Sequence, residues 1–243
     1  NQEYLKPIYN LNGIYCKNKE LDKYKLFCDH YYQGIKSSDL IGYVNFNNQN
    51  FLKMQNLFIL ENNLNKIHSR SLEPFYTMIE NHTPWTHFLV DKTVLIISPF
   101  VESFEKQINN NFQIFKDQKV FLDQQKFIFY KSFNTLSNNN IHQDWYQTFN
   151  IMKDEIRKLD FDIALLSCGG YGLPLCNFIK TELKKSSIYV GGGLQLLFGV
   201  MGKRWENSDF WKKIIKDNNT RFIRPSNNEL INQYQSIENG CYW

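Results

Sequence analysis

The sequence predicts an α/β protein with a Rossmann-like, mostly parallel sheet and a helical N-terminal segment. Short β-branched apolar runs alternate with amphipathic helical patterns from Thr93 onward, and this alternation is typical of parallel strands joined by helices. Glycine supports the same division, because Gly13, Gly34 and Gly42 are the only glycines before position 169 and the remainder of the 12 lie at or beyond it. We place a helical segment at residues 1–83, packed on an α/β domain at residues 84–243.

One long amphipathic helix is predicted in the N-terminal segment. Five apolar residues recur there at helical spacing, and the polar residues 37–39 follow as a stop signal. A stripe of this kind is typical of a core face rather than of a ligand site. Residues 45–65 mix apolar and polar side chains without a clear period, so no element is predicted there. The stripe consists of Leu21, Tyr24, Phe27, Tyr31 and Ile35.

Strands and helices alternate in the second part of the chain. The run "TVLIIS" at residues 93–98 is continuous and β-branched, as expected for a strand buried on both faces. Asp144 is placed to cap a helix whose apolar residues form a single stripe. The further predictions are a helix presenting Phe104, Ile108 and Phe115, strands in "KFIFYKS", "FDIALLS" and "SIYVGG", a helix over residues 145–159 and a helix over residues 175–184.

Composition limits the partners and the compartment. The 243 residues are 42% hydrophobic and carry a formal charge of only +4 without a dense Lys/Arg block, which argues against nucleic acid as a partner. No apolar run approaches the ~20 residues of a membrane-spanning helix. Five scattered cysteines without a Cys-x-x-Cys pair are typical of reduced thiols, so we expect a cytoplasmic protein without a transmembrane segment. Since the sequence begins at Asn1 without Met, we also expect a trimmed N-terminus.

A glycine cluster follows the predicted "FDIALLS" strand directly. Gly169, Gly170 and Gly172 stand between this strand and a helix, at the carboxyl edge of the sheet where open α/β folds bind ligands. Without a Cβ, the backbone N–H groups and the helix N-terminus can approach an anion such as a diphosphate. The alternative is a tight strand-to-helix turn with positive φ angles and no ligand.

A second glycine cluster favours the ligand interpretation. Gly191, Gly192 and Gly193 close the next strand, and in a parallel sheet that end lies on the same edge. Lys203, Arg204 and Trp205 could hold a phosphate and stack on a base or sugar, although a solvated turn with the Trp packed inward is the alternative. The predicted ligand-binding residues are Ser98, Cys168, Gly169, Gly170, Tyr171, Gly172, Gly191, Gly192, Gly193, Gln195, Lys203 and Arg204.

Several stretches resemble a family of mostly uncharacterised proteins from polysaccharide loci and large DNA viruses. They are "VLIISPFVESFEKQ", "FDIALLSCGGYGLPLCNFIK", "VGGGLQLLFGVMGKRW" and "ENGCYW". The arrangement of the last two strands also resembles the GT-D type of nucleotide-sugar glycosyltransferases. The resemblance implies that residues 84–243 form a Rossmann-like domain that binds a nucleotide-sugar donor and transfers the sugar to a glycan acceptor. For a viral protein the expected compartment is the host cytoplasm.

The acidic motif of GT-D enzymes is missing from this sequence. Those enzymes carry an Asp-x-Glu type motif for a metal and the diphosphate, so a divalent ion (Mn or Mg) is implied without residues to hold it. Either the motif lies upstream of a truncated Asn1, or this protein works differently. The pair Asp160 and Asp162 lies at the amino end of its strand, opposite the predicted cleft, and we interpret it as a capping or surface feature. The five histidines show no metal spacing.

Two carboxylates are candidates for the general base that a sugar acceptor needs. Glu102 follows the first strand of the domain, and Glu206 follows the basic pair. Glu102 also lies in the first turn of a helix, where a carboxylate simply complements the helix dipole. Cys168 could be read as a nucleophile, but no partner histidine is identifiable, and a small buried residue is the simpler interpretation. Two rival functions are a non-catalytic binding module of the same fold and an enzyme acting on a nucleotide without a sugar.

Overall fold

Helices and strands alternate along most of the chain in a computed structural model, which describes residues 5–137 and 139–243. The helices of this described part are α1 (Leu5–Asn12), α2 (Leu21–Lys36), α3 (Gln49–Glu61), α4 (Pro74–Ile79), α5 (Val101–Asn109), α6 (Trp145–Ile156), α7 (Gly172–Thr181), α8 (Gly193–Leu197), α9 (Lys203–Glu206) and α10 (Asp209–Asn218). Its strands are β1 (Ile41–Tyr43), β2 (Lys66–His68), β3 (Thr93–Ser98), β4 (Lys126–Lys131), β5 (Ile163–Leu166) and β6 (Ser186–Tyr189).

The central sheet contains four parallel strands in the order β4-β3-β5-β6. Along the chain, β3 is followed by β4 on one side of it, and the next strand, β5, lies on the other side of β3. The order therefore reverses between β3 and β5, which is the topological switch point of an open α/β sheet. The predicted α/β fold with a parallel sheet is confirmed. Strands β1 and β2 form a separate two-stranded parallel sheet, which the sequence did not predict.

Side chains of the central strands alternate between two cores. In β3, Val94 and Ile96 pack on one face of the sheet with Phe104 of α5, whereas Leu95 and Ile97 pack on the other face with α6 and α7. Right-handed crossovers explain this division, because a connection that changes direction along the sheet must pass over the opposite face. Burial on both faces accounts for the continuous apolar runs that predicted these strands.

A capped helix connects the N-terminal segment to the central domain. The side chain of Asp144 accepts a hydrogen bond from Gln147 N at 2.8 Å, as predicted for an N-cap, and forms an ion pair with Lys23 at 2.9 Å. The indole nitrogen of Trp145 donates to the carbonyl oxygen of Lys23 at 2.7 Å. These contacts join the start of α6 to the start of α2. The division of the chain into domains at residue 83 stays a prediction.

Several boundaries differ from the sequence predictions for local reasons. Helix α5 ends at Asn109, so Phe115 lies beyond it, because Asn111 adopts a positive φ of 53°. Helix α7 begins at the glycine turn and ends at Thr181, earlier than predicted, and Lys184 turns the chain with a φ of 58°. Residues 45–65, where no element was predicted, contain α3, whose N-cap Asn48 accepts from Asn50 N at 3.0 Å.

Helix α2 packs closely against α7 at a glycine. A Cβ on Gly34 would lie 2.7 Å from the carbonyl oxygen of Leu173 and 2.9 Å from its carbonyl carbon. Backbone atoms cannot rotate away as a flexible side chain can, so any larger residue separates the two helices. Gly34 is therefore required by packing, although glycine lowers the helix propensity of this segment.

We expect Gly34→Val to lower the free energy of unfolding by roughly 1–3 kcal/mol, the usual cost of overpacking a well-packed contact. Gln33→Val is the matched control, because Gln33 is exposed on the same helix and receives the same side chain. Urea titration of both variants measures the difference. Equal stability of the two variants would contradict the close contact between α2 and α7.

Candidate functional site

A cavity lies at the carboxyl edge of the central sheet, where the loops after all four strands converge. It adjoins the switch point between β3 and β5, the position at which open α/β folds bind ligands. Its volume is about 80 Å³, well below the roughly 300–1,000 Å³ of a typical ligand pocket. The lining residues from the strand ends are Pro99 and Phe100 after β3, residues 133–136 after β4, residues 167–169 and Tyr171 after β5, and Gly191, Gly192 and Gln195 after β6.

Two segments from the ends of the described chain narrow this cavity. Leu11 and Asn12, at the end of α1, line one side, and Tyr242 and Trp243 line another. The Trp243 side chain is buried, and its indole nitrogen donates to the carbonyl oxygen of Glu229 at 3.0 Å. We call residues 241–243 the C-terminal tail. The cavity is small because these two segments cover the edge of the sheet.

Only some of the predicted glycines face the cavity. Gly169 and Gly191 adopt positive φ angles of 57° and 69°, which other residues rarely adopt. A Cβ on Gly191 would meet no atom within 4 Å, and one on Gly169 would meet only Asn12 O, at 3.8 Å. Gly192 also lines the cavity, and its Cβ would lie 3.3 Å from the Tyr242 ring. Residues of both glycine turns therefore line one cavity, and their role in holding a ligand stays a prediction.

The other three glycines accommodate the chain itself. A Cβ on Gly170 would lie 2.7 Å from Asn12 O, and one on Gly193 would lie 2.5 Å from Glu73 Oε1. A Cβ on Gly172 would overlap the ring of Tyr189. At these three positions, the close approach that requires glycine is made by other parts of the protein. Their role as ligand-binding residues stays a prediction.

Gln195 is a buried polar side chain that lines the cavity. Its side chain is fully buried, and Nε2 donates to the carbonyl oxygen of Tyr242 at 3.0 Å. Its Oε1 has no hydrogen-bond partner among the described residues. A buried acceptor without a partner costs roughly 1–3 kcal/mol, so an N–H or O–H group of a ligand would be favoured at this position.

Two tyrosine hydroxyls and a thiol at the site stay protonated. Burial raises the pKa of Tyr171 and of Tyr189, so both remain neutral near pH 7. The Tyr171 hydroxyl lies 3.0 Å from Thr135 Oγ1, and the Tyr189 hydroxyl donates to Gly169 O at 3.0 Å. Burial also raises the pKa of Cys168 well above its ordinary value, which disfavours a thiolate nucleophile.

Comparison with known protein families identifies the domain. A family model described as a GT-D fold-like domain matches residues 25–197, from α2 to α8. The chain belongs to the GT-D fold-like domain family. The matched range contains both glycine turns and Gln195, and the resemblance to GT-D proteins is thereby confirmed. Neither the curated proteins nor the solved structures that we searched gave a significant match.

The two predicted cationic residues lie against the C-terminal tail, Arg204 through its side chain and Lys203 through its backbone. The guanidinium of Arg204 lies 4.7 Å from the Tyr242 ring centroid and binds the carboxylate of Glu238. The backbone nitrogen of Lys203 donates to Trp243 O at 3.0 Å. Neither side chain lines the cavity, but the Arg204 guanidinium and the Lys203 backbone contact residues that do. Their role as phosphate ligands stays a prediction.

The predicted carboxylates are ion-paired outside the cavity. Glu102 lies 2.5 Å from Lys131 Nζ, and Glu206 lies 2.5 Å from Arg224. Ser98 is buried beside the cavity, where its Oγ accepts from Phe100 N at 3.2 Å. The assignments of these three residues stay predictions.

Acidic groups that could hold a metal are not clustered in the described residues. No group of three or more His, Cys, Asp or Glu side chains there could hold a metal ion. Asp160 is fully exposed, and Asp162 Oδ2 accepts from Thr93 N at 2.7 Å, at the amino edge of the sheet. The Asp-x-Asp sequence therefore joins two strands on the edge opposite the cavity.

Sequence reasoning missed a large part of the cavity wall. Local sequence patterns did not predict that α1, the loop after β4 and the C-terminal tail meet at the cavity. The "ENGCYW" stretch was part of the resemblance, and its two aromatic residues are the only signal that could have pointed to the tail. The lining residues outside the predicted set are Leu11, Asn12, Pro99, Phe100, Phe133, Asn134, Thr135, Leu136, Ser167, Tyr189, Tyr242 and Trp243. Among the described helices, none combines the length and hydropathy needed to cross a membrane.

Glu73 is a further residue that the sequence did not indicate. It precedes α4, and its carboxylate lies against Gly193 of the second glycine turn. Desolvation raises the pKa of Glu73 above its ordinary 4.5, partly opposed by Arg70. The folded state therefore binds a proton more tightly than the unfolded state. The contribution of protonated Glu73 to the free energy of unfolding is therefore lost as the pH rises from the ordinary pKa of the carboxyl through its raised pKa in the folded state.

We expect Glu73→Gln to become more stable relative to the wild type as pH rises from about 4 to about 7, because the variant has no carboxyl to ionise. Thermal unfolding at several pH values measures this difference. Glu105→Gln, at an exposed position on α5, is the control for loss of one negative charge. A difference for Glu73→Gln that is constant with pH would contradict the raised pKa.

Proposed function

We propose that this GT-D-like protein binds a nucleotide-sugar donor in the cavity and transfers the sugar to a glycan or other acceptor. One observation carries the proposal: the loops after all four parallel strands meet at the switch point, with two positive-φ glycines beside a buried, unpaired amide oxygen. This edge is where α/β folds bind nucleotides. Membership of the GT-D fold-like family supports a nucleotide-sugar as the ligand.

Donor binding requires the cavity to widen. Because the cavity of about 80 Å³ is smaller than a nucleotide, the ligand displaces Leu11 and Asn12 or the C-terminal tail. Movement of Tyr242 would free the guanidinium of Arg204, which now stacks on that ring at 4.7 Å. Arg204 and Lys203 would then stabilise the departing diphosphate, while Gln195 Oε1 accepts a hydrogen bond from the donor.

The proposed sugar transfer forms one bond at the anomeric carbon and breaks another. The oxygen of an acceptor hydroxyl bonds to the anomeric carbon, and the bond from that carbon to the diphosphate oxygen breaks. The nucleoside diphosphate leaves with the electron pair, and the hydroxyl proton passes to a base. Glu102 is the better placed of the two predicted carboxylates, because its partner Lys131 lines a groove beside the cavity. Glu206 instead pairs with Arg224.

A divalent ion has no site among the described acidic residues. Since those residues do not fit Mn or Mg, no step of the proposed reaction passes through a metal. The same observation supports the rival function, a non-catalytic module that binds the nucleotide-sugar without transferring the sugar. An enzyme acting on a nucleotide without a sugar is the third candidate.

Ligand-induced stabilisation tests the proposal directly. We expect one of UDP, GDP, dTDP and CMP to raise the melting temperature, because a ligand at 100 times its Kd adds about 2.7 kcal/mol to stability. NAD serves as a comparison nucleotide, and each ligand is tested with and without Mn²⁺. Release of the diphosphate from the matching nucleotide-sugar in the presence of glycan separates transfer from binding alone. No stabilisation by any nucleotide would overturn the proposal.

We expect Gly191→Asn to weaken binding of the stabilising nucleotide at least tenfold, because the new side chain enters the cavity. Asn tolerates positive φ better than most residues, which limits the strain. Gly240→Asn is the matched control, since Gly240 has a φ of 75° but does not line the cavity. Isothermal titration calorimetry compares the variants, and equal weakening by both would remove Gly191 from the site.

A further inference from the structure

A second, wider concavity adjoins the cavity on its β4 side. We call it the amide groove. Its volume is about 620 Å³, within the usual range of ligand pockets. The groove and the cavity share Pro99, Phe133 and Asn134 as a common wall. A molecule in the groove would therefore lie next to a donor held in the cavity.

Asparagine side chains dominate the polar lining of the groove. Asn139 links its two walls, because Nδ2 donates to Asn232 O at 3.0 Å and Oδ1 accepts from Asn232 N at 3.1 Å. In the described part of the chain, the side-chain amides of Asn228 and Asn232 make no hydrogen bond and are exposed. Each of these amides can both donate to and accept from a ligand hydroxyl. The asparagines of the groove are Asn134, Asn139, Asn140, Asn228 and Asn232.

A buried hydroxyl in the groove also has no partner. Ser132 is only 4% exposed, and its Oγ makes no hydrogen bond with any described residue. A buried polar atom without a partner is costly, and such atoms in native proteins are usually paired with a ligand or water. Ser132 is therefore an independent indication that a polar molecule occupies this groove.

The charged side chains along the groove have partners within the protein. Lys131 forms its ion pair with Glu102 at 2.5 Å. The buried carboxylate of Glu229 accepts from Ser103 N at 3.1 Å and from Ser226 N and Oγ at 3.0 and 3.1 Å. Among the described residues of the groove, the exposed charge of Lys131 is ion-paired, and the Glu229 carboxylate is buried behind hydrogen bonds. Such a surface favours a neutral ligand over a phosphate or an acidic molecule.

Apolar side chains lie between the amides. Ile141 is 60% exposed and Leu230 is 39% exposed, and the ring of Phe133 forms the boundary with the cavity. A sugar ring presents C–H faces together with a rim of hydroxyl groups. Apolar side chains can cover the faces while amides bond the hydroxyls, which is the division of roles found in small-molecule sites.

We propose that the amide groove is the acceptor subsite and takes a short, neutral oligosaccharide. The inference rests on the proposed function, because it assumes that the adjoining cavity holds the donor. It places the acceptor hydroxyl between the cavity and Glu102, which is held at the groove through Lys131. Because hydrogen bonds between Asn139 and Asn232 join the two walls of the groove, we expect the oligosaccharide to bind without added nucleotide.

The test measures binding of maltotriose, cellotriose and triacetylchitotriose to the full chain by saturation-transfer NMR, with trigalacturonate as an anionic comparison. We expect at least one neutral trisaccharide to bind. We expect the double variant Asn228→Leu, Asn232→Leu to weaken that binding at least tenfold while leaving nucleotide-induced stabilisation unchanged. The matched control is Asn109→Leu, Asn110→Leu, which changes two exposed asparagines at the end of α5. The control should bind as the wild type does.

A second variant tests the role of the buried Ser132 hydroxyl. Ser132→Ala removes the unpaired oxygen, so we expect a higher melting temperature without a glycan and weaker trisaccharide binding. The inference would be overturned if no neutral trisaccharide binds, or if the double variant binds the trisaccharide as the wild type does. Binding of trigalacturonate as strong as that of the neutral trisaccharides would also overturn it. Glycan binding without any nucleotide binding would instead overturn the donor cavity and leave the groove as a glycan site.

Discussion

The reversal of strand order between β3 and β5 is the constraint on which the rest of the structure depends. It directs the crossover helix α5 to one face of the sheet and the crossover helices α6 and α7 to the other, so both faces are covered by helices. Neither face is then open to a ligand. The loops at the carboxyl edge remain, and four of them surround the cavity.

Glycine serves two purposes at this edge. Gly169 and Gly191 turn the chain at positive φ and leave space in front of the backbone, whereas Gly170, Gly172 and Gly193 make room for other parts of the protein. The second group brings the end of α1, strand β6 and the start of α4 against the turns. Tight packing against these three glycines fixes the backbone of both turns, which is the preorganisation that a binding site needs.

Local patterns predicted the elements better than the site. Burial on both faces gave β3 a recognisable apolar run, and Asp144 preceded a clear helical stripe, so both could be read from neighbouring residues. The contacts of Gly170 with Asn12 and of Gly193 with Glu73 join residues more than 100 positions apart. A glycine looks the same in sequence whether it faces a ligand or another segment. Only the three-dimensional packing separates the two cases, and it also brings the C-terminal tail to the cavity.

The ion pair between Arg204 and Glu238 lies near the carboxyl edge of the sheet and bears on how the cavity would accept a diphosphate. Arg204 pairs with Glu238, and its side chain is 41% exposed. Partly exposed pairs of this kind contribute only about 0–1 kcal/mol each. A diphosphate carries more negative charge than one carboxylate and would bond through several oxygens, so it can replace Glu238 at little cost. The exchange would also release Tyr242, because the same guanidinium stacks on that ring. Replacement of Glu238 by the diphosphate at Arg204 and movement of the C-terminal tail away from the cavity would then occur together.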